Sequence, residues 1–206
     1  MKSTPEFWDR MYEMPLDEIP WEINDAPMQL KNLVEKRKIN GMCLDIGCGS
    51  GNYSIYLAKN GFDVTGIDYS KKAISIAKKK AKEAKVKINF FNGNIQEFSK
   101  KTKKQFSFIL DYCILHHVPN EELGKHAKCS AELLEQGGKI LLACFSEKDN
   151  LKRKADGVFG NKMNFRTREE IKKIYSKNGF TEKEYSECLL GKIKHHKGHC
   201  FLFEKK

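Results

Sequence analysis

Two carboxylates and three glycines hold the chemistry of this chain. Residues 42–51 read Met-Cys-Leu-Asp-Ile-Gly-Cys-Gly-Ser-Gly, and 61–70 read Gly-Phe-Asp-Val-Thr-Gly-Ile-Asp-Tyr-Ser. The first run begins as a short apolar strand and breaks at Gly47, Gly49 and Gly51. It resumes at Asn52 with Tyr53, Ile55, Tyr56, Leu57 and Ala58 at helical spacing. A turn without side chains, opening a helix, offers bare backbone N–H groups and a positive helix end to a ligand. Asp68 stands 21 residues beyond Gly47 (68 − 47). At the end of the neighbouring parallel strand, such a carboxylate can accept hydrogen bonds from two ribose hydroxyls.

Glycine turns of this kind serve dinucleotides, flavins and S-adenosylmethionine alike. In the dinucleotide fingerprint the third glycine would fall at position 52, which is Asn52 here. Asp45, two residues before Gly47, would repel a pyrophosphate. The ammonium and sulfonium of S-adenosylmethionine would be attracted by it.

With these residues in place, the chain resembles the class I S-adenosylmethionine-dependent methyltransferases. The matching runs are Leu44 to Gly51, Gly66 to Ser70, and Leu134-Glu135-Gln136-Gly137-Gly138. The resemblance implies an α/β fold: a doubly wound, seven-stranded, mostly parallel sheet of order 3-2-1-4-5-7-6, its last strand antiparallel, with helices on both faces. It implies S-adenosyl-L-methionine as methyl donor and S-adenosyl-L-homocysteine as product. It also implies donor contacts from Asp45, Gly47, Cys48, Gly49, Gly51, Asp68, Tyr69, Asn94, Ile95, Asp111 and Tyr112. Asn94 stands where many members carry an aspartate to the adenine amino group, and its amide oxygen can accept the same bond. The pattern Phe7-Trp8-Asp9-x-x-Tyr12, then Ile19-Pro20-Trp21-Glu22, resembles the lid of the thiopurine and tellurite-resistance group. That likeness points to Trp8, Tyr12 and Trp21 as acceptor contacts, and His116, in the pair that follows the fourth strand, is a further candidate. Tyr112 stands where that group commonly has arginine after the strand-end aspartate, a departure that separates this chain from the group's own substrate.

The elements that must position these residues follow from pattern. Residues 1–30 alternate Phe7, Trp8, Tyr12, Ile19, Trp21 and Ile23 with four prolines, so they cannot form one long helix and must fold back as an aromatic cap. Helices are expected over 28–38, from Asn52, and over 71–85, 120–134 and 167–177, with Thr167 and Glu170 as a capping box. Strands are expected at 42–46, 61–68, 87–91, 106–111, 139–145, 180–186 and 199–203. The last two, with no helix between them, imply a closing antiparallel hairpin. Residues 146–166 are polar and long for a connection, as functional loops are, and are expected beside the cap.

His116 and His117 invite a catalytic reading. Neighbouring residues point apart, so a shared metal is not expected, and Tyr112 and His116 stand as the catalytic candidates. The run from His195 to Cys200 is richer in ligand types, yet its flanks read as a hairpin, and no metal is expected. Methyl transfer from a sulfonium to a thiolate or other soft anion needs no base, because a thiol of pKa about 8.5 is partly ionised at neutral pH.

Length, charge and cysteine usage set the frame. The 206 residues suffice for a single α/β domain, 1–206. No run of about 18 apolar residues exists and Met1 to Glu6 has no apolar signal core, so a cytoplasmic protein without membrane partners is expected. Seven scattered cysteines without a C-x-x-C pair suggest buried thiols. The net charge of +11 leaves two readings of the acceptor: a small molecule in an enclosed site, a thiol or other soft nucleophile among them, or nucleic acid on the basic surface. A third reading is a donor-binding module whose role is interaction.

Overall fold

The computed structural model describes residues 4–150, 163–192 and 196–206. Its elements run α1 (Pro5–Met11), α2 (Met28–Glu35), β1 (Met42–Ile46), α3 (Asn52–Lys59), β2 (Asp63–Asp68), α4 (Lys71–Glu83), β3 (Ile88–Asn92), α5 (Ile95–Lys101), β4 (Phe106–Tyr112), α6 (Leu123–Leu133), β5 (Leu134–Phe145), α7 (Arg168–Lys177), β6 (Phe180–Leu190) and β7 (His196–Lys205). The strands form a single seven-stranded sheet of order β3-β2-β1-β4-β5-β7-β6. Pairs from β3 through β5 are parallel, and β7 runs antiparallel to both β5 and β6.

Period-two alternation splits the core between the sheet's two faces. In β5, Ile140, Leu142 and Cys144 join one cluster with α5, α6 and α7 residues such as Phe98, Ala127 and Tyr175. Leu141, Ala143 and Phe145 join the other, with Leu30 and Leu33 of α2 and Leu57 of α3. β7 repeats the pattern with Phe201 and Phe203 on one side and Cys200 and Leu202 on the other. Near-continuous apolar strands are what a sheet covered on both faces requires. A third, smaller cluster sets Tyr12 and Ile19 of the N-terminal segment against Ala73 of α4.

Several boundaries differ from the sequence expectation. α2 stops at Glu35, followed by Arg37 at φ 51°. The strand expected from Lys139 starts at Leu134, with Gly137 at φ 74° in an irregularity where Phe106 pairs with Leu134 and Phe108 with Lys139. α6 accordingly covers only Leu123–Leu133, behind a 3-10 turn at Asn120–Glu122. β6 and β7 reach Leu190 and begin at His196, longer than their apolar cores, because they continue as a two-stranded ribbon beyond β5. α5 is not anticipated, although Asn94 and Glu97 form a capping box at its start. The expectation for 146–166 falls largely on 151–162, which lie outside the described residues. At the ends of that segment Ser146 bridges Arg166.

Candidate active site

At the carboxyl ends of β1, β2 and β4 the sheet opens into a cavity of about 1400 Å³ roofed by the N-terminal segment. Open α/β sheets present ligand crevices at that edge.

The glycine turn is shaped by backbone need. Gly47, Gly49 and Gly51 have φ of 65°, 55° and 85°, the left-handed region costly for other residues. The space left free is used by protein groups as well. A Cβ on Gly47 would stand 2.1 Å from Ile114 Cδ1, and one on Gly49 2.5 Å from Tyr12 Oη. The turn is therefore a seat for the cap, not only a bare surface for a ligand. Gly51 lies off the cavity wall, where an added Cβ would stand 3.0 Å from Ala77 Cβ of α4, and serves as the N-cap position of α3.

Three carboxylates surround this turn. Asp45 is 2% exposed and accepts a hydrogen bond from Ser54 Oγ at 2.6 Å. Burial pushes its pKa up to about 7; the Ser54 bond opposes the shift and the negative charge of Asp68 adds to it. Asp68 accepts from the Gly49 N–H at 2.9 Å and the Ser70 N–H at 2.8 Å. Burial raises it to about 6 against those two bonds, helped by repulsion from Glu22 and Asp9. Glu22, 8% exposed, accepts from Ser50 Oγ at 2.5 Å and Asn52 Nδ2 at 3.1 Å. None of the three forms an ion pair with a described residue. Lys80 instead donates to Ser50 Oγ at 2.9 Å and to Asn52 Oδ1.

The cap is tied to both donor-side loops. Asp9 accepts from Ser70 Oγ at 2.6 Å and the Lys72 N–H at 3.0 Å, while Ser70 caps α4. Glu22 grips the glycine turn, and Lys192 donates to the Asp17 carbonyl from the opposite wall. Inside, Trp21 Nε1 donates to Tyr12 Oη at 3.1 Å, and Trp8 sits edge-on to Trp21 at 5.4 Å and to His117 at 4.8 Å. Burial lifts the Tyr12 pKa well above the usual phenol range.

Beyond β4 the chain bends sharply. Cys113 has φ 67°, a left-handed value for a residue with a side chain, and its N–H donates to the Ala143 carbonyl at 2.8 Å. A 3-10 turn at Leu115–His117 follows, pinned by the Asn164 N–H donating to the His116 carbonyl at 2.7 Å. Buried Arg166 donates to the Val118 carbonyl at 2.5 Å and to Asn120 Oδ1 at 2.7 Å. His116 is 2% exposed and stacks on Phe145 at 4.2 Å and 6°. Its Nδ1 has no hydrogen-bond partner among the described residues. Burial, then the neighbouring His117 and Arg166, push its pKa well below the usual imidazole value; burial takes His117 to about 4. Both rings are neutral at pH 7.

The structure brings most of the sequence candidates to one wall: Asp45, Gly47, Cys48, Gly49, Asp68, Tyr69, Ile95 and Tyr112 line the cavity with Trp8, Tyr12, Trp21 and His116. Asn94 lines it too, with its amide oxygen accepting the Glu97 N–H at 2.8 Å as the cap of α5. Asp111 does not. It is fully buried beneath the cavity, with Oδ2 2.6 Å from His126 Nε2. Tyr112 lies edge-on to Tyr53 at 5.7 Å, and burial holds its phenol far above the usual range, so it can donate a hydrogen bond but not act as a base. The C-terminal histidines diverge: His196 Nδ1 is 3.4 Å from Asp149, His199 Nε2 is 2.9 Å from Glu147, and His195 lies outside the described residues. Sequence reasoning assigns no role to Asp9, Glu22, His126 or Arg166. For the first two the signal was their adjacency to Trp8 and Trp21.

Residues 43–138 match the model of a methyltransferase domain family. The chain is 34% identical over 118 residues to the ubiquinone biosynthesis O-methyltransferase of Coxiella burnetii, covering 57% of this chain and 49% of the relative. It thus spans about half the length of that relative. Among solved structures, one concerning the conversion of a disulfide bond into a thioacetal group during echinomycin biosynthesis superposes with TM-score 0.84 at 22% identity, over 98% of this chain and 93% of that one. TehB from Haemophilus influenzae gives TM-score 0.70 at 20% identity, over 90% and 65%. At such identities the two structures share the fold.

Proposed function

We propose that the chain, whose residues 43–138 match a methyltransferase domain family, is a class I S-adenosylmethionine-dependent methyltransferase that transfers the methyl group of S-adenosyl-L-methionine to a small molecule held beneath the N-terminal cap. One observation carries the reading. Glu22, Asp45 and Asp68 converge on the glycine turn without an ion pair among the described residues, and burial raises Asp45 and Asp68 toward neutrality. A site that gathers carboxylates at such cost fits a ligand that brings positive charge. Asp68 would hold the ribose hydroxyls, Asn94 and Ile95 would border the adenine, and Asp45 and Tyr112 would face the amino-acid end. The sulfonium supplies an already activated methyl group. The protein's part is then to align a nucleophile and exclude water, which the aromatic roof and the buried 3-10 turn favour. Trp8, Tyr12, Trp21 and His116 would contact the acceptor, a thiol or other soft nucleophile being one class. Seven free thiols support action in the cytoplasm.

Calorimetry with S-adenosylmethionine tests the donor site. Asp68→Asn should weaken binding by about 10- to 100-fold, the scale of a hydrogen bond to a charged group. Unchanged affinity would remove the assignment. A second reading, RNA as acceptor, is favoured by the net charge of +11. A gel-shift series in rising salt decides it, since phosphate contacts must weaken steeply with salt and no binding at low salt excludes them.

A further inference from the structure

The charge of the cavity opposes that of the molecule. On a chain of net charge +11, the wall and mouth carry Asp17, Glu18, Glu121 and Glu122 in addition to the three carboxylates at the glycine turn. These four make no ion pair among the described residues, whereas Asp25 and Glu187, on the same wall, pair with Lys31 and Lys148. Lys192 is the one lysine among the described lining residues, and its ammonium is spent on the Asp17 carbonyl. Among the described residues the mouth is thus acidic, a composition that concentrates cations and disfavours anions.

The second observation is independent of charge. The cavity's acceptor side is aromatic, with Trp8, Trp21, Phe145 and His117, and set into it is the buried, neutral His116, whose Nδ1 lacks a partner among the described residues. A buried polar atom left without a partner costs about 1–3 kcal/mol, so this one is poised to meet a donor that arrives with a ligand.

We infer that the acceptor is a planar, largely apolar small molecule, uncharged or cationic, that its nucleophile is a neutral N–H, O–H or S–H group, and that His116 Nδ1 takes the proton released. Anionic acceptors are rejected. The inference rests on the methyl-transfer reading above and narrows its acceptor class. The nucleophile's lone pair forms the new bond to the methyl carbon, and the carbon–sulfur bond breaks with its electron pair passing to sulfur. The nucleophile's proton goes to His116 and from there to solvent. With a neutral nucleophile the positive charge moves from sulfur to the nucleophile and on to the imidazole. An anionic nucleophile would cancel the charge these carboxylates are placed to hold.

The test separates the two levels. First, S-adenosylhomocysteine binding is measured by calorimetry; if it does not bind, the methyl-transfer reading itself falls. On the protein saturated with S-adenosylhomocysteine, benzylamine, phenol and benzoate are then compared by ligand-observed NMR at low ionic strength. Benzylamine and phenol should bind about 10-fold or more tighter than benzoate, the lower end of electrostatic focusing in a cleft. The surface variant Asp17→Asn/Glu18→Gln/Glu121→Gln/Glu122→Gln should shrink the gap. Benzoate binding as tightly as phenol, or a gap unchanged in the variant, overturns the inference while leaving donor binding intact. For the proton, His116→Gly and His116→Gln should lower turnover of neutral acceptors by about 100-fold or more, with S-adenosylhomocysteine affinity kept and added imidazole restoring part of the rate in the glycine variant. Full turnover in either folded variant, or no rescue, removes His116 as the base.

Discussion

The carboxylate of Asp111 has no exposure and meets His126 Nε2 at 2.6 Å, while its other oxygen is without a partner among the described residues. Replacing both members of a buried hydrogen-bonded pair by apolar groups can be harmless, but removing one member strands the other. His126→Ala should therefore cost about 1–3 kcal/mol, read as a lower urea midpoint at unchanged slope. A loss below about 1 kcal/mol would mean that the pair is dispensable. Asp111 resembles a ligand-binding residue in sequence because it ends a central strand, as Asp68 does. What separates them is register. β4 continues one residue further, to Tyr112, and that residue takes the place on the cavity wall while Asp111 meets His126 of α6. No count of residues from a glycine reveals which side of the sheet a strand-end carboxylate faces. That depends on where the strand stops.

Among the elements, the sheet and its helices were legible because their signals are local. Alternating or continuous apolar runs give the strands, Thr167 with Glu170 gives the start of α7, and glycines at 47, 49 and 51 give the β1–α3 turn. α5 was legible by the same rule, through Asn94 and Glu97, but it is only seven residues long and follows a strand directly. The cap was legible as aromatic and buried, yet not in how it is held. Asp9 and Glu22 act on Ser70, Ser50 and Asn52, partners 28 to 61 positions away, and such contacts leave no periodicity. Glu22→Ala should loosen the cap and leave the Ser50 hydroxyl without its acceptor, while Asn52 Nδ2 keeps the Ile23 carbonyl and Ser50 Oγ keeps the Lys80 donor. The expected result is faster amide exchange at 50–52 and weaker S-adenosylmethionine binding with little change in global stability. Unchanged exchange there would show that the aromatic contacts alone hold the roof.

For the whole molecule, the raised carboxylates make stability and ligand binding run in opposite directions with pH. Asp45 and Asp68 titrate near 7 and 6 in the folded chain, against 3.8 for an ordinary aspartate. Between these values the folded state binds more protons than the unfolded one, so the stability of the ligand-free protein is full at acid pH and declines as pH rises through 6 to 7. A cationic ligand prefers the ionised carboxylates, so its binding should release protons and tighten over the same window. Melting temperatures with and without S-adenosylmethionine should therefore diverge between about pH 5.5 and pH 7.5. A constant difference would show that the carboxylates do not sense the ligand. The cap adds a consequence in time. Because one segment is fastened to the two loops that flank the proposed donor site, departure of the spent donor would require those fastenings to let go. Turnover would then keep pace with unlatching rather than with the reactivity of the acceptor, and it would slow in viscous solvent while a first, single round of transfer stayed fast.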